Sequence, residues 1–142
     1  MPTPNIFSAA FEYDDQDPDG YRSGVARVGA AAGGRDNVVK LFEVPSGQSI
    51  CPYHYEYEEE WLVLLDGTLR VRTPDGESTV NRGALVCFPA GPDGAHKVSN
   101  DGEDRALVMM FSSAREPSVA IYPDSDKIGV WPGRAEDHVI LR

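Results

Sequence analysis

Two clusters of histidine and carboxylate, joined by short segments that end in glycine, proline or aspartate turns, constrain this chain more than any other feature. The first runs from Gly47 to Gly67 as GQSICPYHYEYEEEWLVLLDG, and the second from Gly83 to Asn100 as GALVCFPAGPDGAHKVSN. As a strand, the first cluster alternates its side chains between two faces, so Ile50, Pro52, His54 and Glu56 point one way. A reversal through Tyr57, Glu58 and Glu59 returns the chain. Glu60, Leu62 and Leu64 then share a face, and Asp66-Gly67 is a hairpin signal. In the second cluster the loop from Pro89 to Gly94 delivers His96, on one face with Val98 and Asn100. Imidazole and carboxylate converging from three strands suit a divalent transition metal. Two His and one carboxylate with open positions is the arrangement of non-haem iron, and the same donors take Zn, Mn or Ni.

The rest of the chain is punctuated in the same way. Val38 to Val44 reads as a strand closed by Pro45-Ser46-Gly47, and Pro52 marks a bulge or an edge in Ser49 to Glu56. Trp61 to Leu65 is a short apolar run, as in a strand buried on both faces. Thr68 to Thr73 alternates, with Leu69 and Val71 inward and Arg70 and Arg72 toward water. Glu77 to Val80, Ala84 to Phe88 and Arg105 to Phe111 follow, each bounded by turn residues. Val119 to Tyr122 and Lys127 to Trp131 form a tail expected to cover the barrel or add an edge strand. Many short strands between Gly, Pro and Asp turns predict an all-β sandwich or barrel rather than an α/β fold.

The two clusters resemble the paired motifs of the cupin superfamily, G-x5-H-x-H-x3-4-E-x6-G and G-x5-P-x-G-x2-H-x3-N. Here His54, Glu56, Glu60 and Gly67 are separated by one, three and six residues, and Gly83, Pro89, Gly91, His96 and Asn100 follow the second motif. Glu56 stands where the motif has its second histidine, six residues rather than five separate Gly47 from His54, and two extra residues precede His96. The resemblance implies a small single-domain cupin, a double-stranded β-helix or jelly-roll barrel. It maps His54, Glu60 and His96 onto three metal ligands. Glu56 is either the fourth ligand or a carboxylate beside the site, and in the second case it is the candidate base. The plainer alternative is a hydrogen-bonded core histidine beside a solvated acidic turn, since some cupin barrels bind no metal. The ion implied is a divalent transition metal: Fe, Mn, Ni or Zn.

Composition limits what such a site can serve. The 142 residues suit one domain with a real core. The expected division is an N-terminal arm over 1–34, with Pro2, Pro4, the acidic run Asp14 to Asp19, a short strand over Tyr21 to Val28 and a flexible connection over Ala30 to Gly34, and a single barrel domain over 35–142 that includes the tail. A net charge of −10 argues against nucleic acid, and no apolar run approaches a membrane span. No positively charged start and apolar segment mark a signal peptide, so the expected location is cytoplasmic. Cys51 and Cys87 read as small packing residues, with the alternative that one of them, being near the two motifs, lies close to the pocket. Ile6, Phe7, Phe11 and Tyr13 in the arm point to packing on the barrel or on a second copy, and a homodimer is expected. His138 is expected at the surface, outside the site.

A barrel lumen offers a concave, mostly apolar pocket, with Val63, Leu64, Phe88, Val98, Val108 and Met110 as candidate walls. The resemblance implies dioxygenases, sugar isomerases and epimerases, decarboxylases or non-enzymatic sensors, and the fold alone does not choose. The leading expectation is a metal-dependent small-molecule enzyme, with a dioxygenase placed ahead of an isomerase or epimerase. The alternative is a binding or sensing module without turnover.

Overall fold

Twelve short strands carry the computed structural model, which describes residues 1–133 and 135–142. Five of them build one antiparallel sheet: β1 (Gly24–Ala26), β2 (Asn37–Val44), β4 (Glu60–Asp66), β7 (Leu85–Phe88) and β9 (Ala106–Ser113), in the order β1-β2-β9-β4-β7. A second sheet holds β3 (Tyr55–Glu56), β10 (Ser118–Tyr122), β11 (Lys127–Trp131) and β12 (Val139–Leu141), in the order β12-β11-β10-β3. A third orders β5 (Thr68–Thr73), β6 (Gly76–Asn81) and β8 (Lys97–Ser99) as β6-β5-β8. Isolated antiparallel bridges, Ser49 to Ser99 and His54 to His96, join the second and third sheets. The result is one interrupted sheet opposite the five-stranded one, a jelly-roll sandwich. Among the described residues no helix is long and apolar enough to cross a membrane.

The core lies between the two layers. Val44, Leu62, Leu64 and Val108 from one side meet Leu69, Val71 and Val98 from the other, all at most 2% exposed. The alternation expected in β5 holds: Leu69 and Val71 are buried, while Arg70 pairs with Asp101 at 2.7 Å and Arg72 with Asp124. A second cluster lies on the outer face of the large sheet, where Ile6, Ala9 and Phe11 pack against Ala26, Val28 and Leu41. These arm residues therefore find apolar partners within their own chain.

The structure corrects four local expectations. In β4 only Leu62 and Leu64 are fully buried; Trp61, Val63 and Leu65 are half-buried on the outer face. An antiparallel sheet packs one face on the core; here Trp61 stacks on Phe111 across the strand pair instead. Asp66-Gly67 does not close a hairpin, because both edges of β4 are already taken by β9 and β7. Gly67, at φ 83°, instead turns the chain from one sheet to the other, close to the backbone of Arg105 and Ala106. The strand expected over Ser49 to Glu56 is regular only at Tyr55–Glu56, since Pro52 has no N–H to donate and breaks the ladder. The strand expected from Tyr21 to Val28 is confined to β1, and a one-turn helix α1 (Val28–Ala31) follows, partly where a flexible connection was expected. The tail does more than cover the barrel: β10 pairs with β3, placing Tyr122 beside the site.

Candidate metal centre

His54 and His96 face each other across an antiparallel bridge in which each backbone N–H donates to the other's carbonyl, at 3.1 and 2.9 Å. Their rings stand 4.8 Å apart, and both are buried. Each Nδ1 lies against a carbonyl oxygen two residues back, Pro52 O at 2.9 Å for His54 and Gly94 O at 2.8 Å for His96. A carbonyl only accepts, so Nδ1 carries the proton and Nε2 keeps its lone pair. Both Nε2 atoms thus point into the barrel as ready donors to a cation. Phe88, opposite Glu60 in the strand ladder, stacks on the His96 ring with centroids 3.7 Å apart and fixes its plane.

Glu60 enters from the facing sheet. Its Oε1 lies 3.6 Å from His96 Nε2, and the donor atoms of His54, Glu60 and His96 all fall within 4.8 Å of one another. Donors held at about 2.1 Å from one ion stand roughly 3 to 4 Å apart, so closure by roughly an ångström would complete the set. His96 Nε2 is buried without a hydrogen-bond partner among the described residues. Such an orphan is costly unless something fills it, and a cation is what a lone pair beside a carboxylate accepts. The three residues therefore fit a divalent transition metal. Burial, reinforced by the neighbouring His96, holds the His54 pKa below its ordinary value and favours the neutral, ligating form.

Glu56 sits apart from that set. Its Oε1 is 3.9 Å from His54 Nε2, and it does not join the mutual cluster of the other three. Burial, with Glu60's charge second, pushes its carboxyl up to about 7. Asn100, from the second cluster, is structural: its Nδ2 donates to Val44 O and Asp104 O, both at 2.8 Å, and its Oδ1 accepts from Gly102 N at 2.9 Å.

These groups open into a cavity of about 730 Å³. Of the expected walls, Val98 and Met110 line it; Leu64, Phe88 and Val108 lie in the core beneath, and Val63 faces the other side of the sheet. Tyr122, Cys51 and Lys40 are among the further residues that line it. Tyr122 lies 5.8 Å from the His54 ring, and burial pushes its hydroxyl up to about 12, so it remains a proton donor. Cys51 also lines the space, its thiol pushed up to about 12 by burial, which leaves it a poor nucleophile. Lys40 is the third, and its signal was available: it interrupts the otherwise apolar row Val38, Phe42, Val44 on the inner face of β2. His138 is exposed, as expected, yet stands at the cavity rim edge-on to Trp131.

Comparison with known proteins agrees with this architecture. The family model for the cupin domain matches residues 40–112, and the chain belongs to the cupin family. No curated protein gives a significant sequence match. Among solved structures, the fold resembles a sugar phosphate isomerase of the cupin superfamily from Silicibacter pomeroyi, with TM-score 0.86 and 21% identity over 99% of this chain and 92% of that one. It also resembles the polyketide cyclase RemF of Streptomyces resistomycificus, with TM-score 0.68 and 19% identity over 83% of each chain. The Bacillus subtilis oxalate decarboxylase, with its Mn(II) centres, gives TM-score 0.56 and 16% identity over 73% of this chain and 29% of that one. At these identities the likeness is one of fold.

Proposed function

We propose that this protein is a metal-dependent isomerase or epimerase that moves a proton at a carbon next to a carbonyl in a small oxygenated substrate. The observation that carries this reading is Glu56, a carboxyl that faces the same lumen as His54, Glu60 and His96 but lies outside their mutual cluster. A bound Fe, Mn, Ni or Zn ion would supply Lewis acidity toward the substrate oxygen. Glu56 takes the proton from the carbon and returns it to the neighbouring carbon on the same face; in an epimerisation Glu56 would keep that proton and a second donor, Tyr122 or water, would supply one to the opposite face. No atom is gained or lost. A carboxyl pushed up to about 7 is matched to proton transfer near neutral pH. Tyr122 donates a hydrogen bond to the substrate, and the apolar inner walls exclude water from the exchanging proton. The sugar phosphate isomerase whose fold this chain shares over nearly its whole length is a neighbour of this class.

A dioxygenase would use the same three donors with a redox-active ion, and a sensor would bind ligand unchanged. The decisive assay follows solvent deuterium entering a panel of hydroxyaldehydes and hydroxyketones, beside oxygen uptake on enediols and β-diketones. Deuterium incorporation without oxygen uptake, lost in Glu56→Gln while metal content is kept, is the expected result. Oxygen uptake without exchange would replace the isomerase by the oxygenase, and neither reaction would leave the sensor.

A further inference from the structure

Lys40 is the anomaly of the cavity. It lies on the inner face of β2 between Val38 and Phe42, positions that line the same space. In the ladder it is opposite Met110, and Met110 is opposite Leu62, so Lys40 stands one rung from the row formed by Val38, Ser112 and Glu60. Two strand spacings separate its Cα from that of Leu62, about 10 Å, within which a lysine side chain reaches the middle of the lumen. Its charge is felt at both Glu56 and Cys51, where it counteracts the effect of burial.

Among the described residues, the other lining cations are engaged and Lys40 is not. Arg27 pairs with Glu12 at 3.4 Å, Arg115 with Glu58 at 3.3 Å, and Lys97 lies over the Tyr21 ring. Among the described residues, the Lys40 side chain has neither ion pair nor hydrogen bond. Lys40 is half-buried, and the pattern of its strand calls for an apolar residue at that place in the row. Glu56 is not its counter-ion, for the two make no ion pair. A divalent ion held by two neutral imidazoles and the Glu60 carboxylate would leave a second positive centre across the same lumen. With such an ion bound, the cavity would hold two positive centres among its lining carboxylates Glu56, Glu58, Glu60 and Glu116, of which Glu60 would be spent on the ion and Glu58 on Arg115, and Lys40 would be the centre left to attract an anion.

We propose that Lys40 docks an oxyanion of the ligand, a carboxylate or a phosphate group, while the ligand's other end reaches the His54–Glu60–His96 centre. The inference rests on the reading of this lumen as the ligand site, and it holds whether or not the ligand is turned over. Lys40 then sets specificity: the ligand is a small hydroxylated molecule with an acidic end group.

The test is calorimetric titration of the Mn(II)-loaded full chain with three probes of one carbon skeleton: glycerate, glycerol 3-phosphate and neutral glycerol. Wild type binds at least one anion more tightly than glycerol, and the stronger of the two identifies the end group. Lys40→Met loses about 10- to 100-fold of that affinity, the worth of a hydrogen bond to a charged group, with glycerol binding and metal content unchanged. Lys40→Arg keeps most of it. Should Lys40→Met fail to fold, Lys40→Gln carries the same comparison. Equal anion affinity in wild type and the neutral variant overturns the proposal, as does a wild type that prefers neither anion to glycerol. Failure of the isomerase reading shows separately, as proton exchange that survives Glu56→Gln.

Discussion

His96 Nε2 and Glu60 Oε1 stand 3.6 Å apart although they come from opposite sheets of the sandwich. Nothing among the described residues hydrogen-bonds that nitrogen, while Nδ1 of the same ring is held by Gly94 O and the ring plane by Phe88. The barrel thus prepares a lone pair and leaves it unspent.

Replacing either imidazole should therefore empty the centre. His54→Ala and His96→Ala are each expected to weaken binding of a divalent transition metal by more than about 100-fold, beyond the loss typical of residues that only support a ligand. Elemental analysis of the purified proteins measures it. Full occupancy in both variants would remove the assignment.

Asn100 is expected to matter for stability and not for metal. Its side chain satisfies two carbonyls and one N–H that link the end of β2 to the loop after β8, the bond to Val44 O buried and the other two partly so. Asn100→Ala leaves those groups without partners, at about 1 to 3 kcal/mol each before relaxation and water entry. A net loss of about 2 to 4 kcal/mol, or roughly 10 °C in Tm, is expected in thermal melts. Metal content should match wild type.

How much of this was legible beforehand follows from the reach of each interaction. His54, Glu60 and His96 stand at motif spacings, so their convergence could be read from the resemblance. The inward faces of β5 and of Leu62 and Leu64 followed from a period of two. Other features depended on which strand pairs with which. Asp66-Gly67 has the local chemistry of a hairpin, yet the neighbours of β4 are decided by residues more than twenty positions away. Tyr122 reaches the site only because β10 pairs with β3, a contact between distant segments with no local signature. Lys40 was different: its break in an apolar row was visible, but the row's orientation was not.

The arm is expected to hold a second copy of the chain. Ile6 and Phe11 are already packed against their own sheet, but Phe7 is 73% exposed at the edge of that cluster. A solvent-exposed phenylalanine beside an apolar patch suits burial in a symmetric contact. Light scattering should give twice the 15.5 kDa chain mass, and Phe7→Ser should shift it toward one. A wild-type monomer at micromolar concentration would refute the dimer.

The pH dependence of stability isolates Glu56. In the metal-free protein its carboxyl is pushed from 4.5 up to about 7, chiefly by burial and then by Glu60. Below the unfolded value both states are protonated, and the favourable contribution is complete. Between 4.5 and about 7 the unfolded chain loses its proton while the folded chain keeps it, so stability falls as pH rises. The whole loss is about 3 kcal/mol, taking 1.36 kcal/mol per unit. Glu56→Gln has no such group. In chelator, its unfolding free energy relative to wild type should therefore grow from pH 4.5 to 7.5 by about that amount, as read from denaturant titrations. An ion beside the carboxyl favours its charged form, so metal loading should flatten the same curve. A difference that stays constant across this range without metal would mean that Glu56 ionises as a solvated carboxylate does, and would end its role as the proton carrier of the site.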